Sequence, residues 1–192
     1  MGAIRPWIFR LLVLIGGALF VYAWFQPWWT AFVQMLDTNA VVIYVHQFVA
    51  DAGDHPEWLM GAEDEMPAWF FTFMWVYFGA VILALLASLF VSDKKGISLG
   101  KFRISLPTAI VTAVGISMVV VCIAAVVTIA MKAGNYYDAP LQGTIFISFA
   151  QINESYESWV DTGFQPGFWI ACAAGPVLLI AAALRRLIVG KA

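Results

Sequence analysis

Charge is scarce in this sequence, and its distribution excludes several functions. Charged residues make up only 11% of the 192 positions, and none lies within the apolar core of four long hydrophobic runs. Proton relays, voltage sensors and ion-coupled transporters need ionisable groups at that depth. A channel or transporter would have to build its polar path from Ser, Thr and backbone alone. Cysteine is rarer still. Cys122 and Cys172 both fall inside apolar runs, so they read as small packing residues and no disulfide framework joins the loops. The only histidines, His46 and His55, share one short connection, which does not suit axial haem ligation from facing helices. There is no Gly-rich phosphate loop, nucleophile elbow or zincin motif, so no enzymatic activity and no cofactor is expected. Basic residues are too few to suggest nucleic acid, and anionic lipid head groups account for those present.

What is abundant is hydrophobicity. Apolar residues form 62% of the chain, and the mean hydropathy is +0.86. That composition belongs in a lipid bilayer. Spans are expected at about 8–25, 68–91, 106–131 and 167–184, each able to cross about 30 Å of hydrocarbon at about 1.5 Å per residue. Pro6, Pro67, Pro107 and Pro166 stand at the N-terminal edges of these runs. Proline fits there because a first-turn N–H has no intrahelical partner. Ser105 is placed as an N-cap for the third span, Asp64 and Glu65 put negative charge at the positive end of the second, and Pro176 predicts a kink in the fourth. No small-residue cleavage site follows the first run, which is therefore expected to persist as an anchor.

The two signs of charge separate along this map. Arg5, Arg10, Lys94, Lys95, Lys101, Arg103, Arg185, Arg186 and Lys191 flank the spans on one side, accompanied only by Asp93. All other acids, with the single base Lys132, fall on the opposite side. The positive-inside rule then expects both termini and the loop around residues 93–103 in the cytoplasm, with the chain multi-pass in the cytoplasmic membrane. The outer side receives two acidic, aromatic-rich loops, 26–67 and 133–166.

Loops of that length usually carry structure of their own. Residues 40–48 and 144–149 are rich in β-branched and aromatic side chains, so a strand is expected in each, pairing into a small outer sheet. A short helix over 41–50 is the alternative for the first. The fold class is therefore an all-α four-helix membrane bundle, a single domain over 1–192, with an extracytoplasmic cap in which strands from both outer loops are expected. Eight of the nine tryptophans cluster towards the outer side. An interfacial belt explains most of them, and Trp28, Trp29, Trp58 and Trp159 are the candidates for partner binding. His46, Asp51, Asp54, His55 and Glu57 carry the donor types of a copper or zinc site, although their spacing matches no recognised one. Asn153-Glu154-Ser155 fits an N-glycosylation acceptor at Asn153. Gly167, Ala171 and Gly175 form a four-residue ladder suited to close helix packing.

Four spans, a longer first outer loop, outer strands and the cluster Trp24-Phe25-Gln26-Pro27-Trp28-Trp29 after the first span together resemble claudin-like and PMP22-like tetraspan proteins. Those families carry a Trp, Gly-Leu-Trp and paired-cysteine signature in the first outer loop, and both cysteines are missing here. The resemblance implies a non-enzymatic protein that associates laterally and presents an outer sheet to partners. The leading expectation is thus a structural or accessory subunit, embedded in the lipid bilayer, as a homo-oligomer or in a larger membrane complex. The alternative is a copper- or zinc-binding delivery protein using the outer-loop histidines and carboxylates.

Overall fold

In the computed structural model the described residues are 4–59, 66–91, 96–99, 102–151 and 154–189. Four helices dominate: α1 (Ile4–Trp24), α2 (Ala68–Phe90), α3 (Leu106–Asn135) and α4 (Pro166–Val189). All four are long and apolar enough to cross a membrane. Their outward residues, such as Leu14, Val76, Leu83, Ile123 and Val127, are large and apolar. A helix that is apolar all round suits lipid and not water. The prolines sit as expected. Pro166 opens α4, Pro107 is the second residue of α3, and Pro67 stands just before α2. Pro176 lies inside α4 and removes the amide that would bond the Cys172 carbonyl.

The chain divides into two compact units. The first comprises 1–22, 75–122 and 170–192. Its core is formed by Phe9, Val13, Val81, Leu85, Val111, Val114, Met118, Ala174 and Leu178. The ladder residue Gly175 meets α3 at Gly115, where a β-carbon would stand 3.1 Å from the Gly115 carbonyl oxygen. The reciprocal β-carbon at Gly115 would stand 2.9 Å from Leu179 and 3.2 Å from the Gly175 oxygen. Two glycines facing one another let the backbones approach and gain dispersion energy that lipid cannot supply. Phe20 stacks on Phe78 at 5.5 Å, and the Tyr77 hydroxyl bonds Ser117 Oγ at 3.0 Å. This unit also contains an antiparallel hairpin of β4 (Gly96–Leu99) and β5 (Phe102–Ser105) in the basic loop, which the sequence pattern did not announce.

The second unit comprises 23–74 and 123–169. It is built on a five-stranded antiparallel sheet of β1 (Trp29–Val33), β2 (Thr38–Ile43), β3 (Phe48–Ala50), β6 (Gly143–Gln151) and β7 (Glu154–Phe164), in the order β3-β2-β1-β7-β6. Strands occur in both expected places, but they do not pair with each other. The loops are joined by β1 and β7, with Trp29 opposite Phe164 and Val33 opposite Val160. Residues 41–50 form strand, turn and strand, so the helical alternative is replaced. Asp37, at φ 50°, closes the short turn between β1 and β2.

One face of the sheet presents Trp29, Ala31, Val33, Val41, Ile43, Ile147 and Val160 to Ile129, Ala133 and Tyr136 at the end of α3. Trp58, on a short 3-10 turn (Pro56–Leu59), completes this core. Burying a tryptophan removes about 150–250 Å² from water, worth about 4–6 kcal/mol before ordering costs. Trp29 and Trp58 are both fully buried. The Trp29 Nε1–H donates to the Leu141 carbonyl at 2.8 Å, and the Trp28 Nε1–H to the Ala23 carbonyl at 2.9 Å. The end of α3 is capped by the Ala139 N–H, which donates to the Ala133 and Tyr136 carbonyls.

Candidate functional site

The histidines occupy different surroundings. His46 lies in the turn between β2 and β3 and is only 8% exposed. Its ring stacks on Trp24 at 5.4 Å and 11°, with Tyr44 at 5.8 Å and Phe71 at 6.4 Å. Burial pushes its pKa down, partly opposed by a hydrogen bond to the Trp24 backbone. His55 instead pairs with Glu57, Nδ1 to Oε1 at 3.0 Å. The Glu57 carboxyl is held below its usual range by a backbone N–H, and then by His55. Asp51 accepts a hydrogen bond from the Gly53 N–H at 2.8 Å, which closes a local turn, and Asp54 is exposed. Among the described residues no three His, Cys, Asp or Glu side chains stand together to hold a metal ion. Asn153 lies outside the described residues.

The four tryptophan candidates also separate. Trp29 and Trp58 are core residues, and Trp28 is buried against Phe168 at 5.8 Å. Their ring surface is already used inside the unit. Trp159 alone among the four is half exposed, at 50%. Its cross-strand partner Phe146 is 51% exposed, and the rings meet edge to face at 5.0 Å. Such a pair on a solvated sheet face is the feature a docking surface needs at its centre.

Acids surround that pair. Asp161 accepts from Thr144 Oγ1 at 2.5 Å and from Gln34 Nε2 at 2.8 Å. Those two bonds, Thr144 first, hold its carboxyl below the usual range. Glu157 stands opposite Ser148 and is exposed. Met35, 57% exposed, follows β1, and its N–H donates to Ser158 Oγ at 3.0 Å.

On the other face of the sheet an aromatic ladder locks the loops together. Phe149 stacks on Tyr156 at 5.2 Å and on Tyr137 at 5.9 Å, and Trp58 meets Phe149 edge-on at 5.1 Å. The Tyr137 hydroxyl donates to the Glu57 carbonyl at 2.9 Å, joining the second loop to the first. Burial raises the Tyr137 pKa, and the Glu57 charge adds to this.

Three relationships were absent from the sequence reading. Arg185 was expected among the cations flanking the spans near lipid head groups, and it is buried, with its guanidinium 4.2 Å from the Phe9 ring centroid and Nη1 3.3 Å from Thr108 Oγ1. A guanidinium is weakly hydrated and suits an aromatic face, which makes this burial tolerable. The thiols of Cys122 and Cys172 are near neighbours between α3 and α4. Gly167 lies against the chain after α1, where a β-carbon would stand 2.5 Å from the Pro27 carbonyl oxygen. Comparison with protein-family models, curated proteins and solved structures finds no match for this chain.

Proposed function

We propose that this chain is a non-enzymatic accessory subunit of the cytoplasmic membrane, holding its place with four spans and contacting other protein through its sheet-bearing unit. The observation that carries this reading is the half-exposed Phe146–Trp159 pair on an otherwise ordered five-stranded sheet. Exposed aromatic area ringed by polar groups is the usual mark of a protein contact. The described acids of the unit support a recognition role in the same direction, because Asp51, Asp54, Asp138 and Glu157 are exposed at its surface and are not gathered into a metal constellation among the described residues. The separation of cations and acids along the sequence supports cytoplasmic termini, with the sheet on the other side.

The resemblance to claudin-like and PMP22-like tetraspan proteins supports the same class of role, since four apolar helices with a sheet shared by two loops match that architecture. Lateral association with itself or with a larger assembly follows from this reading. The test is mild solubilisation of native membranes, affinity capture of the full chain and mass measurement of the particle. A defined particle heavier than the protomer is expected. A lone protomer at every concentration would reject the role.

A further inference from the structure

Among the described residues the sheet order leaves β6 with one neighbour, β7, while the opposite edge is the three-residue strand β3. β6 has nine residues, and all nine pair with β7 without a register shift. At about 3.3 Å per residue this is a straight edge of about 30 Å. Edge strands in native proteins are normally blunted by a charge, a proline, a bulge or short length. Gly143-Thr-Ile-Phe-Ile-Ser-Phe-Ala-Gln151 has none of these. Its two faces are both adhesive, with Phe146 outward beside Trp159 and the partly buried Ile145 and Phe149 on the core side.

Charge indicates what covers this edge. The segments that form the unit contain one Lys or Arg, Lys132 in the last turn of α3, and its ammonium lies 5.4 Å from the Phe48 ring on the opposite edge strand β3. Beside β6 stand Glu157 and Asp161. The unit carries eleven acids against that one base, so a second copy pairing edge to edge would set like net charge against like, which disfavours self-pairing. An extended segment with alternating lysine or arginine and apolar side chains suits these features: amides for the edge, apolar residues beside Ile145 and Phe149, and on the outward side long cations that reach past Ser148 towards Glu157 in an acidic unit.

We infer that β6 is a strand-addition site for an extended, basic and apolar segment of a different protein. The inference rests on the accessory-subunit reading and names the surface that reading uses. Main-chain bonds would supply affinity, and the alternating side chains specificity.

The full chain in lipid nanodiscs is titrated with an alternating lysine–valine peptide, with a glutamate–valine peptide as control. Amide exchange across residues 143–151 should slow by about tenfold with the lysine peptide only. The double variant Phe146→Lys, Ser148→Lys should abolish the effect; its near-ultraviolet dichroism, reporting Trp29 and Trp58, checks that the core is intact. A photocrosslinker at exposed Ala150 in native membranes should capture a chain of different mass. Equal protection by both peptides, none by either, or a crosslink only to a second copy overturns the inference. A heavy native particle that yields no Ala150 crosslink rejects strand addition while leaving the accessory role standing. A lone protomer that still protects β6 with the lysine peptide does the reverse.

Discussion

The His46 imidazole lies flat on the Trp24 indole, 5.4 Å between centroids and 11° from parallel. This stack fixes the β2–β3 turn against the end of α1. Burial lowers the histidine's pKa below 6.5, so the unfolded chain takes up its proton first. Stability therefore rises with pH through this window. The contribution is fully present above about pH 6.5 and is lost as pH falls towards the folded pKa. Protection of the Phe48–Ala50 amides, taken relative to the intrinsic exchange rate at each pH, should fall below about pH 6, and His46→Phe should remove that dependence. Unchanged pH sensitivity in the variant would place its origin elsewhere.

Two adjacent tyrosines should respond oppositely to loss of their hydroxyls. The Tyr137 hydroxyl bonds the Glu57 carbonyl, so Tyr137→Phe should cost about 1 kcal/mol. The Tyr136 hydroxyl is buried without a hydrogen-bond partner among the described residues. Tyr136→Phe should be neutral or slightly stabilising, because nothing is left unpaired. Chemical unfolding of the pair in detergent decides the matter, and equal losses would contradict the assigned bonds.

Trp29 joins both loops through its core position and its bond to Leu141. Trp29→Ala should cost about 3–5 kcal/mol and dissolve the sheet before the helices. Far-ultraviolet dichroism should retain helix while near-ultraviolet signal collapses.

The α3–α4 contact is testable by chemistry. Cys122 and Cys172 are neighbouring free thiols, so membrane-permeant iodine should convert them to an intramolecular disulfide, with loss of both free thiols by mass. Gly175→Leu should prevent this cross-link, because its side chain would displace Gly115 and Val119. Efficient bridging in that variant would show that the close approach is unnecessary.

The helices were legible because lipid imposes a simple rule, long apolar runs with proline at their starts. β6 was legible too, since Thr144 to Phe149 is a compact β-branched and aromatic run. β7 was missed because Glu157 and Asp161 dilute its hydrophobicity on the outward face, although Tyr156, Ser158 and Val160 alternate correctly with them. β1 was hidden by its position, since Trp29 immediately after a span reads as an interfacial residue. What no local pattern encodes is the β1–β7 pairing, which depends on residues distant in sequence. The same limit applies to the histidines. A nine-residue separation suggested one site, and the turn at 44–47 sends His46 into an aromatic pocket while His55 pairs locally with Glu57.

The seam between β1 and β7 also orders the birth of the molecule. The Gln165 side chain reaches Thr30 across 135 residues of sequence, so the first three strands must wait for the third helix and the second hairpin before their open flank is covered. A nascent chain halted after α2 would display the β1 backbone to any assembly factor that binds unpaired strands. Closure of the sheet thus becomes a molecular receipt that synthesis has passed α3 and that the last hairpin has reached its seat.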